Sequence, residues 1–212
     1  MTTTENHSSR PSLGTALITG ASSGIGAVYA DRLARRGYDL ILVARDSARL
    51  AALAHRLAQE TGVKTEVLQA DLTDRSDLAR VEQRLHGDAG ITLLLNNAGI
   101  AVTGTLLDAD IDAVERMVAL NVLAPTRLAA AAAKGFAARK AGTLINIASV
   151  LALLPEMFSG TYSGTKAYLL NLTRSLQQEL GPIGVRVQAV MPGATRTEIW
   201  DRAGTPLSLI HI

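Results

Sequence analysis

Short apolar runs recur along the chain, separated by longer stretches in which apolar positions return every three or four residues. The runs fall at 16–19, 39–44, 64–70, 92–96, 143–148 and 185–190. Several are nearly unbroken Leu, Ile and Val, the pattern of strands covered on both faces. Between them, Ile25, Tyr29 and Leu33 share one helical face, as do Leu50, Leu53 and Leu57, and then Leu78, Val81 and Leu85. Gly37 and Gly62 stand just past the first two of these helices, where a left-handed residue closes a helix well. Alternating strand and helix demands parallel strands joined by crossover helices. The expected fold is therefore a doubly wound parallel sheet of the Rossmann type, in three α/β/α layers.

Composition narrows the function. The 212 residues form one domain without repeats or low-complexity linkers, long enough to bury a sizeable core. With 48% hydrophobic and 19% charged residues, the chain is not a disordered one. No apolar run reaches the length of a membrane span. Cysteine is absent, which excludes disulfides, thiolate metal sites and a cysteine nucleophile. Aromatics at 3% and a net charge of +2 give neither stacking platforms nor a phosphate-tracking surface, so nucleic acid is not an expected partner. His7, His55, His86 and His211 lack metal-ligand spacing, and no metal is assigned.

The ends stand apart from this pattern. Residues 1–12 are polar, lack the apolar centre of a secretory signal and read as a disordered tail; the expected location is the cytoplasm. Residues 207–212, Leu-Ser-Leu-Ile-His-Ile, are what CTG-TCT-CTT-ATA-CAC-ATC encodes, a string that resembles the end of a transposase adapter used in DNA library preparation. They are expected to be foreign, with the native domain occupying 13–206 and continuing in the natural gene; a genuine apolar C-terminal strand is the alternative.

The first strand runs into Thr19-Gly20-Ala21-Ser22-Ser23-Gly24-Ile25-Gly26, and a helix follows at once. Glycines let the backbone turn sharply and approach a phosphate, and the helix start offers free N–H groups to an anion. Placed between the first strand and first helix of an α/β chain, the loop points to a dinucleotide, held by Gly20, Ser22, Ser23, Gly24, Ile25 and Gly26. Strand two ends Ala44-Arg45-Asp46. An acid there would take a ribose 2′-hydroxyl; Arg45 instead suits a 2′-phosphate, which favours NADP over NAD. Asp46 is better placed to cap the next helix.

Four polar residues supply candidate chemistry. Ser149 follows the fifth strand at its carboxyl end, the edge where open α/β sheets bind ligands. Tyr162 and Lys166 lie one helical turn apart and share a face. Asn121 lies in the long helix before them. Pro125, four residues on, has no N–H and crowds the Asn121 carbonyl, which is thereby freed to hold a water leading towards Lys166.

Taken in order, Thr19-Gly20-x-x-x-Gly24-Ile25-Gly26, Asn96-Asn97-Ala98-Gly99, Asn121, Ser149, Tyr162-x-x-x-Lys166 and Pro192-Gly193 resemble the short-chain dehydrogenase/reductase family. The resemblance implies an NAD(P)-dependent oxidoreductase interconverting a carbonyl and an alcohol, with a catalytic tetrad at Asn121, Ser149, Tyr162 and Lys166. It implies further cofactor contacts at Asn97, Ala98 and Gly99, at Asp71 and Leu72 on the adenine side, at Pro192, Gly193, Thr195 and Thr197 beside the nicotinamide, at Tyr162, and at Lys166 on the nicotinamide ribose. It also implies a homotetramer or homodimer through the helices bearing Asn121 and Tyr162. Family members continue into a substrate-covering helix and a seventh strand. Without these, the sheet is expected to order 3-2-1-4-5-6 with the sixth strand a bare edge, and the chain to bind substrate poorly.

Tyr162 is the acid/base candidate. A phenol ordinarily titrates near 10, so catalysis near neutrality wants it lowered by roughly 2–3 units. The charge of Lys166 and that of an oxidised nicotinamide both act in that direction. Ser149 would donate to the substrate oxygen. Leu151, Leu153, Leu154, Met157 and Phe158 either wall the substrate pocket or simply pack their loop. The competing readings are a cofactor-binding regulator without turnover and an inactive fragment of the reductase.

Overall fold

A computed structural model describes residues 13–157, 159–193 and 195. Six strands, β1 (Thr15–Thr19), β2 (Asp39–Ala44), β3 (Thr65–Gln69), β4 (Ile91–Asn96), β5 (Gly142–Ile147) and β6 (Val185–Val190), form one sheet. Its order is β3-β2-β1-β4-β5-β6, and every neighbouring pair is parallel. The expected fold class and strand order are those observed. Among the described residues β6 pairs only with β5.

Side chains alternate across each strand, so an unbroken apolar run feeds two cores at once. Leu17, Ile41, Val43, Leu94, Leu144 and Val187 point to one face. There they meet α3 (Arg75–Gly87), α5 (Ala124–Arg139) and α6 (Gly160–Leu180) through Val81, Leu128, Phe136 and Leu176. Ala16, Ile18, Leu40, Leu42, Leu93 and Ile145 point to the other face, against Ala30 and Leu33 of α1 (Gly24–Arg36) and Leu50 and Leu57 of α2 (Ser47–Thr61).

Helix ends follow their local chemistry. α1 and α2 close on Gly37 and Gly62, both left-handed. Asp46 caps α2 by accepting from the Arg49 N–H at 2.9 Å, Asp74 caps α3, and Asp110 caps α4 (Ile111–Val118). α1 differs: Ser23 precedes it, and its side chain makes no capping bond.

Between α4 and α5 the helix widens into a π turn over Ala119–Leu123, with the Ala124 N–H reaching back to the Ala119 carbonyl. Pro125 follows directly. Its missing N–H and its crowding of the carbonyl at Asn121 explain why the narrower ladder gives way there.

The carboxyl ends of the central strands carry a buried polar rung. Asn96 donates to the Asn146 side-chain oxygen at 3.0 Å and to the Pro125 carbonyl at 3.3 Å. Asn146 donates to Thr173 at 2.9 Å, so β4, β5, α5 and α6 are tied together.

Candidate active site

The strand order reverses between β1 and β4, and that is where the chain leaves a cleft at the carboxyl edge. A cavity of about 390 Å³ opens there, walled by the β1–α1 loop, the ends of β2, β4 and β5, the start of α6 and the segment after β6. Of the sequence-derived candidates, Gly20, Ser22, Ser23, Gly24, Ile25, Arg45, Asn97, Ala98, Gly99, Ser149, Tyr162, Lys166, Pro192, Gly193 and Thr195 line it.

The floor is built by close approach. Gly20 has φ +64°, and a Cβ there would fall 2.9 Å from Ala98 Cα. Gly26 does not reach the cavity; a Cβ on it would sit 2.3 Å from the Gly20 carbonyl, so its role is to let α1 press against the loop. Thr19 Oγ1 accepts from the N–H groups of Asn97 and Ala98 at 2.9 and 3.0 Å. Asn97 returns the bond, donating to the carbonyls of Thr19 and Gly20 at 2.9 and 3.1 Å. The ends of β1 and β4 are thereby locked into one cradle beneath the uncapped N-terminus of α1. A side-chain-free floor beside free helix N–H groups fits a pyrophosphate.

Arg45 stands at the rim, 68% exposed, with Nη1 3.8 Å from the Asp71 carboxylate. No acid ends β2, and an exposed pair this long holds the guanidinium too weakly to keep it from a phosphate. Asp71 and Leu72 do not line the cavity. The Asp71 carboxylate accepts from the Thr73 N–H and hydroxyl at 2.9 and 2.7 Å, and Leu72 is buried in the core. Thr197 and Phe158 lie outside the described residues, as do the 1–12 tail and 207–212.

The reactive groups converge opposite the cradle. Ser159 caps α6, which starts the helix so that Tyr162 and Lys166 face β5. Both are buried. Lys166 Nζ donates to the Ile147 carbonyl at 3.0 Å and lies 5.8 Å from the centre of the Tyr162 ring. Ser149 accepts from the Leu151 N–H at 3.2 Å and hydrogen-bonds Tyr162.

Burial raises the Tyr162 phenol above its ordinary value, and the Ser149 bond works the opposite way with smaller effect. Burial also pushes the Lys166 amine down to about 8. The lowered phenol expected from the sequence is therefore not a property of the chain by itself, because desolvation outweighs the polar contact.

Asn121 is buried but does not line the cavity. Its amide donates to the Ile100 carbonyl (2.9 Å) and the Thr165 hydroxyl (3.1 Å), and its Oδ1 accepts from the Ile100 N–H (3.0 Å). The side chain is a clasp between the strand-four loop and α6. Sequence reasoning missed Ile100, Ala101, Val102, Ala113, Arg116, Ile147 and Ala148, all of which line the cavity. Ile147 and Ala148 were legible as the strand end before Ser149; Ile100, Ala101 and Val102 are brought in by the loop after β4, and Ala113 and Arg116 by α4.

The short chain dehydrogenase family model matches residues 14–207. The chain belongs to the short-chain dehydrogenase family. Membership places it among the NAD(P)-dependent oxidoreductases. Among solved structures, it is similar to a short-chain dehydrogenase from Sphingobium yanoikuyae in complex with NADPH: 54% identity, TM-score 0.92, covering 93% of this chain and 77% of that one. A bulky-bulky ketone specific alcohol dehydrogenase from Comamonas testosteroni is 53% identical, with TM-score 0.85 over 87% of this chain and 74% of that one. Among curated relatives, a very-long-chain 3-oxoacyl-CoA reductase from Podospora anserina is 36% identical over 83% of this chain. The short-chain dehydrogenase described here spans about half of that relative's length (53%). No helix among its described residues is long and apolar enough to cross a membrane.

Proposed function

We propose that the protein is an NADP(H)-dependent oxidoreductase that interconverts a ketone and a secondary alcohol, with Tyr162 as the acid/base. The observation that carries this reading is one cavity holding Ser149, Tyr162 and Lys166 on one wall, with the glycine cradle and Arg45 on the other. The Sphingobium neighbour's complex with NADPH supports the choice of cofactor, and the Comamonas neighbour supports ketones as substrates.

When bound, the nicotinamide would supply or accept the hydride. The rest falls to the chain. Ser149 orients the carbonyl oxygen by a hydrogen bond. Tyr162, protonated because burial holds its phenol high, gives that oxygen its proton as the carbonyl carbon is reduced, and is left as phenolate. Lys166 on the adjoining turn stabilises the phenolate and helps to return its proton. A water held by the backbone carbonyl of Asn121 at the π turn would relay that proton from solvent towards Lys166. In the oxidative direction the same groups act in reverse.

The test is NADPH consumption by the purified protein against a panel of aryl and alkyl ketones, with Tyr162→Phe beside it. Reduction lost by roughly two to four orders of magnitude in the variant is expected. Undiminished reduction by the phenylalanine variant would sink the reading.

A further inference from the structure

A second cavity, of about 570 Å³, lies against the first. Val102 lines both and forms the partition between them. Its far wall is the start of α6, where Gly160 sits two residues before Tyr162. A Cβ on Gly160 would meet nothing within 4 Å, and its backbone lies outside the left-handed region. Neither a turn nor a close contact thus calls for glycine here, and alanine or leucine would be the better helix former. What the missing side chain leaves is room.

The chamber's lining is chemically plain. Among the described residues its lining is Val, Thr, Gly, Leu, Ala and Ser, with no ionisable side chain. Two of its hydroxyls already serve each other, Ser159 with Thr161 at 2.8 Å, and Thr105 is turned to Asp108 at 2.7 Å. Val102, Ala109 and Leu151 pack against the buried cluster that includes the Tyr162 ring, so the chamber adjoins the proton donor.

From this geometry we infer that the chamber takes the second large substituent of the substrate, an uncharged apolar arm, and that Gly160 determines how large that arm can be. The inference rests on the ketone-reductase reading of the same site. The first cavity holds the carbonyl and its first substituent beside Ser149 and Tyr162. The second substituent passes Val102 into the space that a side chain at 160 would fill. Among the described residues lining the chamber, an anionic arm finds no cation to compensate its desolvation.

The experiment compares acetophenone with valerophenone, which share the phenyl group and differ in methyl against butyl. Benzoylbutyrate serves as the anionic counterpart. Methylenes in an apolar pocket discriminate by roughly tenfold or more each. The wild-type protein is expected to favour valerophenone in kcat/KM over acetophenone, and over benzoylbutyrate by at least roughly tenfold. Gly160→Leu, which places a branched side chain in the chamber beside Val102, should lower the valerophenone-to-acetophenone ratio by roughly tenfold or more, mainly through KM. Gly160→Ala should lower it less, and its thermal melt guards against misfolding in the larger variant. Three outcomes overturn the inference alone: a ratio left within about twofold in both variants, equal use of benzoylbutyrate, or a wild-type preference for acetophenone. Turnover of none of the three ketones removes the reductase reading and the inference with it.

Discussion

Replacing Lys166 with methionine should stabilise the fold near neutral pH while it abolishes turnover. The side chain is buried and its amine is pushed from 10.5 to about 8 by desolvation. Below pH 8 the amine is charged in the folded and unfolded chain alike, and the folded state bears the whole cost of the buried charge. At ~1.4 kcal/mol per pH unit, that cost is about 3 kcal/mol. Methionine removes it with little change in volume but deprives the Ile147 carbonyl of a donor at 3.0 Å, a loss of about 1–2 kcal/mol. The net gain at about pH 7 is therefore about 1–2 kcal/mol, read from urea unfolding of both proteins. The pH dependence has a fixed sign. Between 8 and 10.5 the unfolded lysine keeps its proton and the folded one has lost it, so the wild type gains stability relative to the variant as pH rises through this window. The advantage of the methionine variant should vanish before pH 10.5 and then reverse. A stability difference that stays constant across that window, or a variant clearly weaker at neutral pH, would refute the reasoning.

Three further outcomes follow from the site's construction. Arg45→Ala should raise the KM for NADPH roughly tenfold, about 1.4 kcal/mol, and leave the KM for NADH nearly unmoved, as measured by initial rates with each cofactor. Gly26→Ala, a change that ordinarily favours a helix, should destabilise the protein by more than about 2 kcal/mol in thermal or urea melts, because the new Cβ would meet the Gly20 carbonyl at 2.3 Å. Asn121→Ala removes two hydrogen bonds from the π turn to the 100 loop and one to α6, and should cost about 2–3 kcal/mol of stability, with faster hydrogen exchange at the Ile100 amide.

Much of this arrangement was legible in the residues. The strand runs located every strand to within one residue at either end, because a parallel strand buried on both faces leaves an apolar block that a helix interrupts. The glycine loop and the Tyr162–Lys166 pair were legible because each is local: a turn in one case, one helical turn in the other. What depends on distant partners was not. Leu72 reads like a loop residue after strand three, yet it packs into the core. The Asp71 carboxylate is taken up by Thr73, two residues on. The raised phenol of Tyr162 depends on how deeply α6 is set into the fold, which spacing does not carry. The second chamber depends on the path of residues 102–109 over the start of α6; Gly104 and the Thr105–Asp108 turn mark a loop there, but nothing local says which surface it crosses.

The amide rung from Asn96 through Asn146 to Thr173 has a consequence for how the site keeps its aim. Greasy surfaces slide and roll over one another at small cost, and leucines in these positions would hold the layers together as firmly. Amides mate in one registration only. They act as a key in its slot, so the helix bearing the phenol and lysine takes one bearing against the strand that leads to the serine. Substitutions that turn the rung aliphatic would leave a folded protein whose proton donor no longer points the same way in every molecule.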